Sequence, residues 1–266
     1  MPRRRLDAEL VRRGLVRSRE EAREAVGAGL VLVAGRPADK AARLVGAEEP
    51  VHLIGTVRRF VSRGGEKLDA ALDRFAVDPR GRSCLDAGAS TGGFTDALLR
   101  RGAERVVAVD VGYGQLDWSL RNDARVVVLE RTNARDLTAD ALPFQPSVVV
   151  ADLSFISLTM VLGTLVAVAT DDADLVLLVK PQFEADRRAV ARGGVVRDPS
   201  VWRAAIGRVA EACASAGAGP LDCTVSPLQG PAGNIEFLLH ARVGATPLDL
   251  PIDEAIAAGE ALAGAA

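Results

Sequence analysis

The sequence predicts an α/β protein in which a doubly wound parallel sheet follows a small N-terminal α+β domain. From residue 82 onward, β-rich runs alternate with helical segments, the order that builds a parallel sheet covered on both faces. Apolar residues make up 48% of the 266 and aromatics 4%, so the core is built from Val, Leu and Ala, as strands buried on both faces require. The first 25 residues are different: eight arginines stand against five acids in a chain whose net charge is −2, which marks off a local basic element. The length suits one α/β domain of ordinary size with a partner of about 60 residues. The expected domains are therefore 1–60 and 61–266, with residues 57–61 as a short structured connection rather than a flexible tether.

In the first domain, Leu6, Leu10 and Val11 form a short helical stripe that Gly14 is placed to end. Ser18 precedes Glu21 by three residues, the spacing of a capping box, and Ala22, Ala25 and Val26 supply the buried face of a second helix that stops near Gly29. LVLV at 30–33 and VHLIG at 51–55 read as strands, with a turn around Gly35, Arg36 and Pro37. Two arginine-studded helices leading into a small β element resemble the RNA-binding domain named after ribosomal small-subunit protein four. The resemblance covers about residues 3–60. It assigns Arg3, Arg4, Arg5, Arg17 and Arg19 to RNA, because guanidinium groups bridge phosphates bidentately while reading little sequence.

In the second domain the expected strands are 82–88, 105–111, 125–130, 146–153 and 174–180, with helices near 93–101, 116–122, 158–169 and 199–216. Two strands then come in succession, 223–228 and 234–243, separated by a Gly/Pro-rich turn. A terminal hairpin of this kind belongs to the class I (Rossmann-like) methyltransferase sheet, and a nicotinamide-binding fold does not ask for it.

LDAGASTGGF (85–94) places Asp86 at a strand end and then Gly88, Ala89, Ser90, Thr91 and Gly92 before a helix start. Small residues let the backbone approach a nucleotide closely. Asp110 ends the next strand, about 20 residues on, where an acid can bond ribose hydroxyls. Asp136, after the third strand, is the candidate for the adenine side. The loop departs from the diphosphate fingerprint and no strong phosphate-binding cation follows it, so the expected cofactor is S-adenosylmethionine, which carries no phosphate.

Four polar residues complete the candidate site: Lys67 just before the first helix of the domain, Asp152 and Lys180 ending the fourth and fifth strands, and Glu236 beginning the last. Strand carboxyl ends line the ligand crevice of an open α/β sheet. SRGGEKL, CLDAGASTGGFT, VDVGYGQL, ADLSFISL, LVKPQFE, GGVVRDP and SPLQGPAGNIEFLL resemble the TlyA family of rRNA methyltransferases, once called haemolysins, over essentially the whole chain. Like the FtsJ-like ribose methyltransferases, that family uses a Lys-Asp-Lys-Glu tetrad, which falls on Lys67, Asp152, Lys180 and Glu236. The resemblance implies 2′-O-methylation of cytidine in small-subunit rRNA, large-subunit rRNA or both. It also makes Lys180 the base, oriented by Asp152, with Glu236 and Lys67 holding the ribose. The partner it implies is rRNA within ribosomal subunits, with no obligate protein partner. Two departures are Phe60 where the family has Trp in the linker, and GGE before Lys67.

Other classes fit less well. An amino-group base methyltransferase would end the fourth strand in Asn/Asp-Pro-Pro-aromatic, and this chain reads DLSF. A carbon-methylating cytosine enzyme needs a cysteine nucleophile, and Cys84, Cys213 and Cys223 are neither suitably placed nor spaced for a metal or disulfide. The basic N-terminus lacks a signal peptide's apolar segment, and no apolar run is long enough to span a bilayer, so a cytoplasmic protein is expected and a haemolysin disfavoured. A noncatalytic RNA-binding protein remains the alternative, opposed by Lys67, Asp86 and Lys180. His52 and His240 are read as structural.

Overall fold

A computed structural model describes residues 3–16, 18–55, 59–186 and 193–264. The chain divides into two compact units, Met1–Arg59 and Phe60–Ala266.

The first unit runs β1 (Arg4–Arg5), α1 (Leu6–Arg12), α2 (Arg19–Gly27), β2 (Val31–Val33), β3 (Arg36–Pro37), β4 (Leu44–Val45) and β5 (Val51–Leu53). β2 lies antiparallel between β3 and β5, and β1 pairs with β4. Ser18 Oγ accepts the Glu21 N–H at 3.1 Å, so the expected cap is in place. Gly14 and Gly29 follow the two helices with φ of +68° and +70°, the left-handed conformation that stops a helix at least cost in glycine. Leu6, Leu10, Ala22, Ala25 and Val26 close on Val31, Val33, Val45 and Val51, which gives the unit its own core. His52 is exposed on β5.

The second unit runs α3 (Arg63–Arg74), β6 (Ser83–Ala87), α4 (Gly93–Arg100), β7 (Arg105–Val109), α5 (Trp118–Arg121), β8 (Val126–Leu129), β9 (Val148–Ala151), α6 (Leu162–Val168), β10 (Asp174–Val179), α7 (Pro181–Glu184), α8 (Pro199–Ser215), β11 (Ala218–Val225), β12 (Phe237–Val243) and α9 (Ile252–Gly264). Its seven strands are ordered β11-β12-β10-β9-β6-β7-β8. The five strands from β10 to β8 are parallel, and β12 is antiparallel to both β10 and β11. The chain leaves β6 for β7 on one side and returns to β9 on the other, so the crevice for a ligand lies above the carboxyl ends of β6 and β9. Side chains alternate across the sheet: Leu175, Leu177 and Val179 join Trp202, Val209 and Phe237 on one face, while Val176 and Leu178 join Leu68, Leu72 and Leu98 on the other.

The opposite end of the sheet is tied by a buried carboxylate. Asp174 accepts hydrogen bonds from Arg82 at 2.7 Å and from His240 and Arg242 at 2.9 Å, and the His240 ring stacks on Phe75. His240 is thus structural, as expected. Arg82, β10 and β12 are joined across three strand ends.

Three helices depart from the sequence expectation. α7 and α9 are absent from it, and α3, expected to begin only after Lys67, starts at Arg63 and holds Lys67 inside it. The glycine pair Gly64–Gly65 reads as a helix breaker, yet close packing demands the second of the two. A Cβ on Gly65 would fall 2.3 Å from Phe60 Cγ, and one on Gly93 would fall 2.9 Å from Gly65 N. The first turns of α3 and α4 approach each other backbone to backbone, which side chains would prevent. Asp110, Asp152, Lys180 and Glu236 each stand one residue outside a strand rather than in it, because at these positions the backbone turns away into the loops of the crevice.

Candidate active site

The loop after β6 is held by backbone bonds. Gly88 N and Ala89 N both donate to Val109 O, at 2.8 and 3.0 Å, and Gly92 N donates to Ala89 O at 2.7 Å. Gly88 has φ +88° and a Cβ there would sit 2.6 Å from the Asp152 carbonyl oxygen; Gly92 has φ +96° and a Cβ there would strike Leu120 at 2.3 Å. Both positions accept glycine alone. Ser90 and Thr91 are exposed at the crest.

Asp110 ties the loop to its neighbour: its two oxygens accept Ser90 N at 2.8 Å and Gly112 N at 2.6 Å. Each oxygen keeps a second lone pair for a ligand hydroxyl. Beside it lies a shallow depression lined among others by Ala89, Ser90, Asp110, Gln115, Val128 and Glu130. Asp136 does not line this depression; it is exposed on the 3₁₀ turn Ala134–Asp136.

Asp86 is fully buried at the root of the loop. Its Oδ2 accepts Thr95 Oγ1 at 2.6 Å, and its Oδ1 has no partner. Burial, reinforced by the nearby Asp152 and Asp110 charges, pushes its carboxyl up to about 7 against the pull of the Thr95 hydroxyl. An unpartnered buried acceptor beside a glycine-built cradle fits a ligand that brings a cationic donor, as the amino-acid end of S-adenosylmethionine does.

The four polar residues form two ion pairs. Lys180 Nζ lies 2.6 Å from Asp152 Oδ1, and Lys67 Nζ is paired with Glu236 Oε2. Both pairs meet at one point of the fold, since Val179 and Phe237 are register partners and bring Lys180 and Glu236 side by side. A Cβ on Gly64 would lie 3.8 Å from Asp152 Oδ2, which sets the first turn of α3 against the Lys180–Asp152 pair.

Sequence reasoning missed three neighbours of this cluster. Ser154 Oγ accepts from Lys180 Nζ at 2.9 Å, giving the amine a second anchor. Phe155, 92% exposed with φ +65°, rests its ring 5.3 Å from that of Phe183. Glu184, buried at the end of α7, accepts Ser157 Oγ at 2.5 Å and Leu158 N at 2.8 Å; burial raises its carboxyl above the usual range. The segment after β9 is thereby fastened to the segment after β10. Signals existed in ADLSFISL and LVKPQFE, where polar residues interrupt strand-end motifs.

The three cysteines are free and buried, and burial pushes their thiols up to about 12, which removes them as nucleophiles near neutral pH. Among the described residues no helix is long and apolar enough to cross a membrane.

In the first unit the arginines are organised by acids. Arg5 and Arg19 both bond the buried Asp7, Arg3 pairs with Glu49 at 3.7 Å, and Arg4 is exposed in β1. Arg17 lies outside the described residues, as do Val57 and Arg58 of the expected connection.

The FtsJ-like methyltransferase family matches residues 60–243, and the S4 domain matches residues 4–51. The chain is 55% identical over 239 residues, 90% of its length and 89% of the relative's, to the 16S/23S rRNA (cytidine-2′-O)-methyltransferase TlyA of Mycobacterium tuberculosis. It is 38% identical over 237 residues, 89% of its length and 98% of the relative's, to Hemolysin A of Brachyspira hyodysenteriae. A solved structure of a hemolysin from Streptococcus thermophilus matches with a TM-score of 0.75 at 39% identity, covering 98% of this chain and 97% of that one.

Proposed function

Because the chain belongs to the TlyA family of FtsJ-like methyltransferases, we propose that it methylates the 2′-hydroxyl of cytidine in ribosomal RNA. Lys67, Asp152, Lys180 and Glu236 are its catalytic residues in this reading, and the arginines of the first unit hold rRNA within ribosomal subunits in the cytoplasm. The observation that carries the proposal is the convergence of two lysine–carboxylate pairs at the strand ends beside the Gly88 loop.

When bound, S-adenosylmethionine supplies an electrophilic methyl group on a sulfonium. Asp86, Gly88, Ala89, Ser90, Thr91, Gly92 and Asp110 would hold it. A ribose hydroxyl is a weak acid and needs both a base and an in-line approach. Lys180 is the base in this reading, its Nζ taking the hydroxyl proton as the oxygen attacks. Asp152 and Ser154 fix the position of Nζ, and they receive or share the charge left on it. Lys67 and Glu236 hold the ribose: the ammonium donates to one hydroxyl and the carboxylate accepts from another. The first unit contributes affinity through phosphates, and the crevice selects the atom.

The test is to incubate purified protein and labelled S-adenosylmethionine with unmethylated ribosomal subunits and map the product by mass spectrometry. A label on cytidine ribose is expected. A label on a base, or binding of rRNA with no transfer in the presence of bound cofactor, overturns the proposal, and the second outcome leaves a noncatalytic RNA-binding protein.

A further inference from the structure

We propose that Asp7, an acid, is what makes the first unit's basic face a grip for RNA, by presetting Arg5, Arg19 and Arg23 around one phosphate of the backbone. This rests on the reading of that unit as RNA-binding.

The geometry is specific. Asp7 is fully buried on α1. Its Oδ2 receives Arg5 Nη2 at 3.0 Å and Arg19 Nη2 at 3.0 Å, with Arg23 Nε at 3.8 Å; its Oδ1 takes Arg5 Nε at 3.2 Å and caps Ala8 N at 2.8 Å. The three guanidiniums come from two elements: Arg5 ends β1, and Arg19 and Arg23 stand one turn apart on α2. Their side chains stay 47%, 51% and 60% exposed while the carboxylate beneath them is at 0%. Each guanidinium has five N–H donors in a rigid fork, so the donors not spent on Asp7 remain for an anion outside. Three cations around one buried anion also leave a local excess of positive charge at a point, which phosphate matches and a neutral ligand does not.

The second acid of α1 gathers one open arginine, Arg12 at 50% exposure, rather than three. Glu9 holds Arg12 and Arg13, but Arg13 is only 20% exposed and spends other donors on the carbonyls of Gly46, Ala47 and Glu49. Four of the five Arg13 donors are thereby used inside the protein. The Asp7 cluster keeps its outer edges open.

Counting charge and counting geometry give opposite predictions. Neutralising Asp7 adds one positive charge to the face, which by charge alone strengthens RNA binding. Presetting predicts weaker binding, because three long side chains then have to be immobilised by the RNA itself. At physiological salt the added charge is screened within about 8 Å, whereas lost geometry is not screened.

The experiment is Asp7→Asn in the full chain, with binding to unmethylated ribosomal subunits measured across a potassium chloride series. Cofactor affinity and thermal midpoint are the controls. Roughly a tenfold loss of affinity is expected, with a log–log salt slope smaller by about one. Unchanged or tighter binding in the folded variant overturns the proposal. If Asp7→Asn fails to fold, Arg23→Ala decides, since it leaves the Arg5 and Arg19 bonds to Asp7 in place: a slope smaller by about one supports the grip, and an unchanged slope overturns it. A wild-type protein that binds subunits with no salt dependence would instead refute the RNA-binding reading, and binding of an acidic protein in place of RNA would refute both.

Discussion

Lys67 and Glu236 are 169 residues apart in the chain and form a buried ion pair that joins α3 to the residue before β12. The site is therefore complete only when the first helix and the last strand of the unit are both in place. Removing one partner of a buried pair leaves the other charge uncompensated, at a cost of about 3–5 kcal/mol, while an apolar replacement of both is often tolerated. Glu236→Ala should lower the denaturation midpoint and abolish methyl transfer. Lys67→Met combined with Glu236→Leu should restore the midpoint without restoring activity. If the double variant is active, the pair is a structural clasp and the ribose is held elsewhere.

Lys180→Ala should abolish transfer while cofactor binding, followed by calorimetry, stays within about twofold. General-base contributions are typically about 10²- to 10⁴-fold, so the loss should lie in turnover. Lys180→Arg separates two roles, because guanidinium keeps the charge but does not yield its proton near neutrality. Single-turnover rates close to wild type in the arginine variant would show that residue 180 positions substrate, and the base would then be Asp152 or water.

Asp86 predicts a pH dependence with a definite sign. A free aspartate titrates near about 3.9, whereas burial pushes Asp86 up to about 7. The folded state thus binds this proton more tightly than the unfolded state. Its contribution is full below the unfolded value and is lost as pH rises through about 7. In ligand-free protein the urea midpoint should fall between pH 5 and pH 8, and Asp86→Asn should flatten that fall. Binding of a cationic ligand favours the carboxylate, so S-adenosylmethionine affinity should rise over the same interval. An identical profile in wild type and Asp86→Asn would remove Asp86 from both effects.

Glu184 fastens Ser157 and Leu158 to the segment that carries Lys180. Glu184→Ala should lower kcat by about tenfold or more with KM for S-adenosylmethionine little changed, because a misplacement of about 1 Å can cost about 10²-fold. Glu184→Gln keeps an acceptor for Leu158 N and should recover part of the rate. Equal loss in both variants, accompanied by a lowered thermal midpoint, would mean that the residue serves the fold rather than the site.

The parallel core was legible because its strands are unbroken runs such as Val148–Val149–Val150 and Leu175–Val176–Leu177–Leu178, buried on both faces. The Ser18 cap was legible from two residues at fixed spacing. Strands β1, β3 and β4 were not, since two residues carry no alternation. The start of α3 was placed too late because Gly64 and Gly65 lower helix propensity, and the need for glycine at Gly65 lies elsewhere in the chain, at Phe60 and Gly93. Of the candidate site, the strand-end acids and lysines were visible from topology. Which lysine pairs with which carboxylate was not, nor was the anchoring of Lys180 by Ser154, because such contacts depend on register between distant strands. The arginines of the first unit were assigned to RNA phosphates from their clustering alone. The buried Asp7 behind them could not be seen in a pattern where acids and bases simply alternate.

The carboxylate of Asp174 and the amine of Lys180 mark opposite ends of the same strand, about 20 Å apart at the rise of an extended chain. At the Asp174 end, Arg82, His240 and Arg242 are stitched to one anion. At the Lys180 end the polypeptide passes into turns. Mutability should be distributed accordingly. A library that randomises the exposed positions after β9 and before β12 explores new substrates on a scaffold already secured from below, whereas one substitution at Asp174 loosens β10 and β12 together and leaves no platform on which variation could be selected.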